Sequence, residues 1–296
     1  MSKFFNETTR GRNVFYPEEK ALPIERKTSP EEKIDLISRQ TTTEIAPSSG
    51  DIPVDAKEPS KDSFRQIEIP SASRLRGLFQ GSDWLDSAEE SYRALRTRLL
   101  RMRAARDLRS AILTSAIQGE GKTLTSLNLA LCCSQLPELR VLLIDSDLRT
   151  AGLTRLLGFP SGPGLANVLS GLCEPRDAIL ATDYPNLYVL PAGQSDKPAA
   201  ELLAGKEWHQ LISDSLNSFD LILIDAPPVL NLADVELLAA ECDGILLVVR
   251  AGFVRRDVLE KSVKQFDPKR LLGLIYNGAE GKAYPRYYYG YGTPKN

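Results

Sequence analysis

The sequence has little of the chemistry that zinc sites and disulfide frameworks need. His209 is the only histidine among 296 residues, which excludes a two-histidine zinc site. None of the four cysteines forms a Cys-x-x-Cys pair. We therefore expect reduced, mostly buried thiols in a reducing compartment, and we interpret His209 as structural. The cysteines are Cys132, Cys133, Cys173 and Cys242.

Long apolar runs are also missing. The longest, such as Gly244–Val249, are far shorter than the ~20 residues of a spanning helix. The chain starts Met-Ser-Lys-Phe-Phe-Asn-Glu and turns polar at once, so no signal peptide is predicted. The net charge of −2 gives no reason to expect a nucleic acid partner. We expect a cytoplasmic protein that works without nucleic acid.

Composition divides the chain into three parts. Residues 1–82 are rich in charge and proline and sustain no apolar period, which predicts a polar, disordered extension. Residues 83–280 have the pattern of a folded domain. Residues 281–296 are rich in Gly, Tyr and Pro and are predicted to form a flexible tail.

The central part alternates between helical and β-type patterns. Residues 86–105 predict a helix, with apolar side chains at spacings of three and four. Short apolar runs separated by helical stretches predict an α/β domain with a mostly parallel sheet and helices on both faces. The strand candidates are residues 111–115, 141–145, 187–190, 221–225, 244–249 and 272–276.

The strongest motif is Ala116-Ile-Gln-Gly-Glu-Gly-Lys122-Thr123, between a predicted strand and a predicted helix. This is the context of a P-loop, whose backbone amides surround phosphate oxygens. Lys122 is predicted to reach the β- and γ-phosphates, and Thr123 to offer its hydroxyl to Mg²⁺. The motif predicts a P-loop NTPase that binds ATP and Mg²⁺, although Ala116 replaces the first glycine. The predicted nucleotide contacts are Gln118, Glu120, Leu124 and the residues between them, including Gly119 and Gly121.

Two acidic strand ends support this site. Asp145 and Asp147 follow one predicted strand, and Asp225 ends another. Ligands of open parallel sheets lie outside the carboxyl ends of the strands. These carboxylates are therefore candidates for Mg²⁺ and catalysis, whereas a single aspartate after a strand is often only a helix cap.

The region from about residue 87 to the C-terminus resembles the bacterial tyrosine kinases (BY-kinases) of the CpsD/CapB type. Residues 116–123, 144–149 and 222–228 resemble the three Walker motifs of that family. Residues 163–171 and 198–203 resemble its linking segments. Gln118 and Ala151 depart from the pattern, since the family often has proline at both positions.

The resemblance implies an ATP-dependent protein-tyrosine kinase that regulates capsule or exopolysaccharide synthesis and export. It also implies a transmembrane polysaccharide co-polymerase as partner, a tyrosine phosphatase, and membrane association through the partner. The alternatives are a ParA/MinD-like ATPase switch and a nucleotide-binding scaffold. Ile117 stands where ParA/MinD proteins carry a signature lysine, which favours the kinase.

The tail contains half of the ten tyrosines of the chain. Composition alone is equally compatible with phospho-acceptors and with an aromatic tail that packs on its own domain or on a partner. Beside the kinase-like motifs, we interpret the cluster as the site of autophosphorylation. Its members are Tyr284, Tyr287, Tyr288, Tyr289 and Tyr291.

Catalytic roles follow from the resemblance and the chemistry of the transfer. Asp147 is the candidate base and Asp145 a Mg²⁺ ligand, although these roles are exchangeable. Asp225 is a second metal or water-shell ligand, and Lys122 stabilises charge on the transferred group. Arg149 is either a phosphate contact or a surface residue. By resemblance, Asn277 lies near the adenine.

A charged motif lies on the first predicted helix of the domain. Glu90, Arg93 and Arg96 are three apart and share one face. They pair either within the helix or with another subunit. The resemblance favours the second reading, as an oligomerisation motif of a ring that forms when the protein is unphosphorylated.

Overall fold

The computed structural model describes residues 64–69, 82–229 and 233–278, with the side chains of 82–87 left out. The tyrosine cluster and most of the predicted extension lie outside these ranges. The strands are β1 Arg65–Ile67, β2 Ser110–Ser115, β3 Val141–Asp145, β4 Leu180–Thr182, β5 Leu187–Leu190, β6 Leu221–Asp225, β7 Gly244–Arg250 and β8 Leu271–Asn277. The helices are α1 Ser82–Arg106, α2 Lys122–Ser134, α3 Gly152–Leu156, α4 Leu165–Leu169, α5 Pro175–Ala178, α6 Ala199–Leu203, α7 Lys206–Ser215, α8 Asp234–Ala240 and α9 Arg256–Val263.

All eight strands form one sheet in the order β1-β4-β5-β3-β6-β2-β7-β8. The β4–β5 pair is antiparallel, and the other described pairs are parallel. Strands β2, β3, β5 and β6 are buried along their whole length, which explains why each contains an apolar run instead of a polar–apolar alternation. The predicted α/β fold with a mostly parallel sheet is confirmed.

An apolar core lies on each face of the sheet. One contains Leu99 of α1 and Leu127 of α2. The other contains Trp208 of α7 and Leu238 of α8. Helices therefore cover both faces, as the alternating pattern predicted. The connections β2–α2, β3–α3 and β6–α8 all start at the carboxyl ends of parallel strands and so lie on the same side of the sheet.

A short strand inside the predicted N-terminal extension was missed by the sequence analysis. β1 pairs with β4 in parallel, and the buried side chains of Phe64 and Ile69 flank it. The Ile69 amide donates to Asp183 Oδ1 at 2.9 Å. The Phe64 ring packs edge-on against Tyr188, with ring centroids 5.2 Å apart. Residues 64–69 thus form part of the folded unit.

The predicted elements otherwise lie where the sequence placed them, with ends that differ by a few residues. The helix predicted over residues 86–105 extends over Ser82–Arg106. The three-residue strand β4 was also missed, because it is too short to show a period. Within the described ranges, no helix has the length and apolar character to cross a membrane.

Candidate active site

The phosphate loop joins the end of β2 to the start of α2 at Lys122. Gly119 and Gly121 have φ angles of 90° and 89°, a region that side chains disfavour. A Cβ atom on Gly121 would lie 2.2 Å from Asn277 Nδ2. Gly121 is therefore required by its backbone conformation and by the close approach of β8.

The side chain of Glu120 holds this loop in shape. It is fully buried, and its carboxylate accepts hydrogen bonds from the amides of Ile117 at 2.9 Å and Arg250 at 3.2 Å. Asn277 Nδ2 donates to the Glu120 carbonyl at 2.8 Å. The predicted contact residues Glu120 and Asn277 thus meet, and Glu120 also supports the loop.

An aromatic ring, that of Phe253, also borders the phosphate loop. A Cβ atom on Gly119 would lie 3.2 Å from Phe253 Cζ. The Arg250 guanidinium lies over the Phe253 ring, 5.0 Å from its centroid, and donates to the Gly119 carbonyl at 3.2 Å. Sequence reasoning missed both residues, because they lie more than a hundred positions from the loop and belong to no motif.

The three predicted carboxylates meet beside Lys122. Asp145 and Asp225 are direct neighbours in the register of β3 and β6. Lys122 Nζ lies 3.1 Å from Asp147 Oδ2 and 3.8 Å from Asp225 Oδ2. All four side chains are buried. The structure therefore brings together the predicted catalytic residues Lys122, Asp145, Asp147 and Asp225.

Each carboxylate has a distinct set of donors. Asp145 Oδ2 accepts from the amide and the hydroxyl of Thr154, at 2.8 and 2.7 Å. Asp225 Oδ1 accepts from Ser126 Oγ at 3.1 Å. Asp147 Oδ1 accepts from the Thr150 amide at 3.1 Å. Thr154 and Ser126 were not anticipated, since neither belongs to a motif.

Two carboxylate oxygens at this edge fit a cation. Asp145 Oδ1 and Asp225 Oδ2 are buried and have no hydrogen-bond partner among the described residues. Hard oxygen ligands of this kind suit Mg²⁺, which keeps several waters and usually binds one or two carboxylates. In the described part of the chain, no three His, Cys, Asp or Glu side chains form a closed metal cage. The residues present thus fit a metal ion whose shell is completed by a hydroxyl, phosphate and water.

Burial controls the ionisation of these groups. It raises the pKa of Asp225 to about 7, against the opposing attraction of Lys122. Burial also raises the pKa of Asp145, while the hydrogen bonds from Thr154 lower it. Two neighbouring buried carboxylates repel each other when both are charged, and a cation between them stabilises the charged forms. This agrees with a metal site.

The loop after β3 lies against the phosphate loop. Ala151 has a φ of 45°, and a Cβ atom on Gly152 would lie 3.3 Å from Thr123 Oγ1. Arg149 Nε donates to the buried Asp234 at 3.2 Å, and its side chain is half exposed. The hydroxyl of Thr123 thus lies next to the turn that carries Arg149.

The remaining predicted contacts are placed as follows. Gln118 is exposed and Leu124 is half-buried at the start of α2. On α1, Arg93 pairs with Glu90 at 3.5 Å within the helix. Arg96 Nη1 donates to the Cys132 carbonyl at 2.8 Å. Within one chain, the charged motif is therefore engaged in helix and helix–helix contacts, and its role between chains stays a prediction.

Comparisons with known proteins agree with this geometry. A family model described as an AAA domain matches residues 113–266. Tyrosine-protein kinase YwqD of Bacillus subtilis is 33% identical over 209 residues, which cover 70% of this chain and 87% of that protein. The chain belongs to the bacterial tyrosine-protein kinases. The resemblance seen in the motifs is confirmed.

Two further relatives show how this kinase family is arranged. The kinase domain of Escherichia coli tyrosine kinase ETK matches with a TM-score of 0.63 and 30% identity, covering 69% of this chain and 81% of that domain. Tyrosine-protein kinase wzc of Salmonella typhi is 31% identical over 244 residues. That match covers 81% of this chain and only 34% of the relative. The kinase unit therefore occurs both in a protein of similar length and within a much longer one.

Proposed function

We propose that this chain is an ATP-dependent protein-tyrosine kinase that phosphorylates its own C-terminal tyrosine cluster and thereby regulates capsule or exopolysaccharide synthesis and export. The observation that carries the proposal is the contact of Lys122 with Asp147 and Asp225 at the end of a phosphate loop. A cation for phosphate, a carboxylate for the acceptor proton and carboxylates for a metal lie together.

Lys122 changes partners when the nucleotide binds. Its ammonium pairs with Asp147 in the structure and would transfer to the phosphates of ATP, guided by the loop amides. The released Asp147 carboxylate then accepts the phenolic proton, whose pKa is about 10 in free tyrosine. The new bond joins the tyrosine oxygen to the γ-phosphorus, the bond to the bridging oxygen breaks, and ADP leaves.

Thr123, Asp145 and Asp225 would hold Mg²⁺, directly or through water. When bound, the ion neutralises charge on the phosphate oxygens. The assignment is supported by one oxygen each of Asp145 and Asp225 that accepts no hydrogen bond, and by the Thr123 hydroxyl, which lies 3.4 Å from Lys122 Nζ. Asn277 and the half-exposed ring of Phe253 border the opposite side of the loop, where the adenine would lie.

The deciding experiment is incubation of the purified protein with γ-labelled ATP and Mg²⁺. Label on tyrosine supports the kinase. A tyrosine phosphatase is expected to remove this label by hydrolysis. Free phosphate without labelled protein would instead support an ATPase switch. Nucleotide binding without either product would support a scaffold.

We further propose that each chain transfers the phosphoryl group to a tail tyrosine of a neighbouring chain within a homo-oligomeric ring. The test mixes a kinase-active variant whose five tail tyrosines are Phe with the Lys122→Met protein, which keeps its tyrosines. Label on the Lys122→Met chain demonstrates transfer between chains. Transfer between chains is contradicted if wild type is labelled at every dilution while the Lys122→Met chain in the mixture stays unlabelled.

The proposed activator is a cytoplasmic segment of a transmembrane polysaccharide co-polymerase. This proposal is supported by the wzc relative, of which this chain spans only 34%. For this chain, the activating segment would belong to a separate protein. Cell fractionation with and without the partner tests it: membrane association and full activity should both require that protein.

A further inference from the structure

A groove of about 660 Å³ opens beside the loop that follows the candidate base. Its first wall is Leu148 and Arg149, directly after Asp147 in the chain. The other walls come from α4 with the turn after it, and from residues 193–202. Four lining residues belong to the two linking segments of the sequence, 163–171 and 198–203: Ala166, Ser170, Ala199 and Leu202.

The groove is held in shape by close backbone contacts. A Cβ atom on Gly164 would lie 2.3 Å from the Gly193 nitrogen. Asn167 Oδ1 accepts hydrogen bonds from the amides of Gly164 at 3.1 Å and Gln194 at 3.3 Å. The hydroxyls of Ser170 and Ser195 lie 3.0 Å apart and bridge two walls. A ligand therefore meets a preformed site, with little ordering cost.

The lining suits an aromatic ring that carries a phosphate. Leu148 and Leu202 supply apolar surface, whereas Arg149 and Lys197 supply two positive charges. Asp196 is the one acidic side chain among the described lining residues, and it is exposed. Arg149 uses Nε toward Asp234, while half of its side chain faces solvent. Cations and hydroxyls of this kind are common partners of phosphotyrosine, which carries about −1.5 to −2 charges.

We propose that this groove binds a phosphotyrosine of the tail while a neighbouring tyrosine occupies the transfer position beside Asp147. The inference rests on the proposed tail kinase activity and adds an order to it. Tail tyrosines two or three residues apart are separated by roughly 7–10 Å in an extended chain. Arg149 lies only two residues beyond Asp147, so the two positions are a short tail segment apart. The first phosphorylation thus tightens the hold on the tail and favours the next.

The first test measures binding without catalysis. The protein with its five tail tyrosines changed to Phe is saturated with Mg·ADP, which fills the phosphate loop. Fluorescence anisotropy then compares two peptides of residues 281–296, one unmodified and one with phosphate on Tyr289. We expect the phosphopeptide to bind about fivefold tighter, the size of a partly exposed ion pair. Lys197→Glu should remove this preference, and Lys206→Glu, at an exposed position at the start of α7 outside the groove, should retain it.

Equal affinity of the two peptides, or a preference that survives Lys197→Glu, overturns the proposal. The second test follows phosphoforms by intact mass in a time course. Wild type and Lys206→Ala should pass quickly to multiply phosphorylated forms, while Lys197→Ala accumulates the singly phosphorylated form. An unchanged distribution in Lys197→Ala also overturns the groove. Absence of phosphorylation in wild type contradicts the kinase proposal instead, and the peptide experiment still decides the groove.

Discussion

Lys122 Nζ lies 3.1 Å from Asp147 Oδ2, and both side chains are almost fully buried. The cation expected to bind phosphate is therefore paired with the candidate base. We expect the phosphates of a bound nucleotide to compete with Asp147 for the Lys122 ammonium, because they carry several negative charges. Binding of the phosphates and release of the base are thus coupled.

The first prediction concerns Lys122→Met. This variant should lose phosphotransfer while the circular dichroism spectrum stays that of the wild type, since Met fills a similar volume. The reason is the loss of the only described cation within 4 Å of Asp147 and Asp225. Incubation with labelled ATP measures the activity. Full activity in a folded variant would remove Lys122 from the site.

The second prediction concerns the carboxylates. Asp147→Asn and Asp225→Asn should each lower the rate of autophosphorylation at least tenfold, or about 1.4 kcal/mol of transition-state stabilisation. The rates are measured at saturating Mg²⁺, so that weaker metal binding is compensated. Near-normal rates in both variants would mean that the side chains only stabilise local structure.

The third prediction is a pH dependence of stability. Burial raises the pKa of Asp225 in the folded protein from the ordinary 3.8 to about 7. Between these values the unfolded chain releases a proton that the folded protein keeps, so the contribution of Asp225 to stability falls as pH rises. Thermal unfolding of the protein without nucleotide should show this decline relative to Asp225→Asn, between about pH 4 and 7. A melting-temperature difference that is constant over this range would contradict the raised pKa.

The fourth prediction separates two constraints on Gly121. Gly121→Ala should weaken nucleotide binding, because its Cβ meets Asn277 Nδ2 and because the φ of 89° is strained for alanine. Adding Asn277→Ala removes the first problem and leaves the second. Calorimetric titration with Mg·ADP should therefore show partial recovery in the double variant, measured against Asn277→Ala alone. Complete recovery would show that the clash alone matters.

The fifth prediction is a charge switch in the tail. Residues 281–296 contain three basic side chains and no acidic one. Two phosphotyrosines, at about −1.5 to −2 charges each, already cancel them, and five make the tail strongly negative. One phosphate would occupy the groove, whereas later ones would be repelled by Asp147, Asp225 and the next ATP. The α1 charge motif, whose pairs are worth little individually, would then fail to hold the ring.

Light scattering tests this switch. Lys122→Met protein should form the larger assembly, and phosphorylated wild type should be monomeric. The variant with five tail tyrosines changed to Phe should stay assembled in ATP, and it serves as the matched control. Equal masses for the phosphorylated and unphosphorylated proteins would exclude the switch.

The sequence predicted those elements whose pattern is local and long enough to be read. The buried strands β3, β5 and β6 were located at their observed ends, because continuous apolar runs bounded by polar residues mark parallel strands. β1 was not predicted, since three residues in a proline-rich segment show no period. Its stability comes from contacts of Phe64 and Ile69 with residues more than a hundred positions away.

The candidate site likewise contains features that local sequence signals predict and features that depend on the folded chain. Lys122 and Asp225 could be found because a P-loop and a strand end are local signals. The supporting contacts could not be found, since Glu120 accepts a hydrogen bond from the Arg250 amide, and Ser126 donates one to Asp225, only once the chain has folded. The sequence also did not show that residues of both linking segments line one groove, because this depends on how the chain folds.

The positions of β1 and β8 at opposite ends of the sheet separate the two ends of the kinase unit. Seven strand spacings of about 4.8 Å place roughly 34 Å between these edges. The segment before β1 and the tail after β8 therefore start from distant sides of the molecule. A partner that binds next to β1 would therefore leave the end of β8 accessible, so that binding at one edge of the sheet and the proposed phosphorylation of the tail would not obstruct each other.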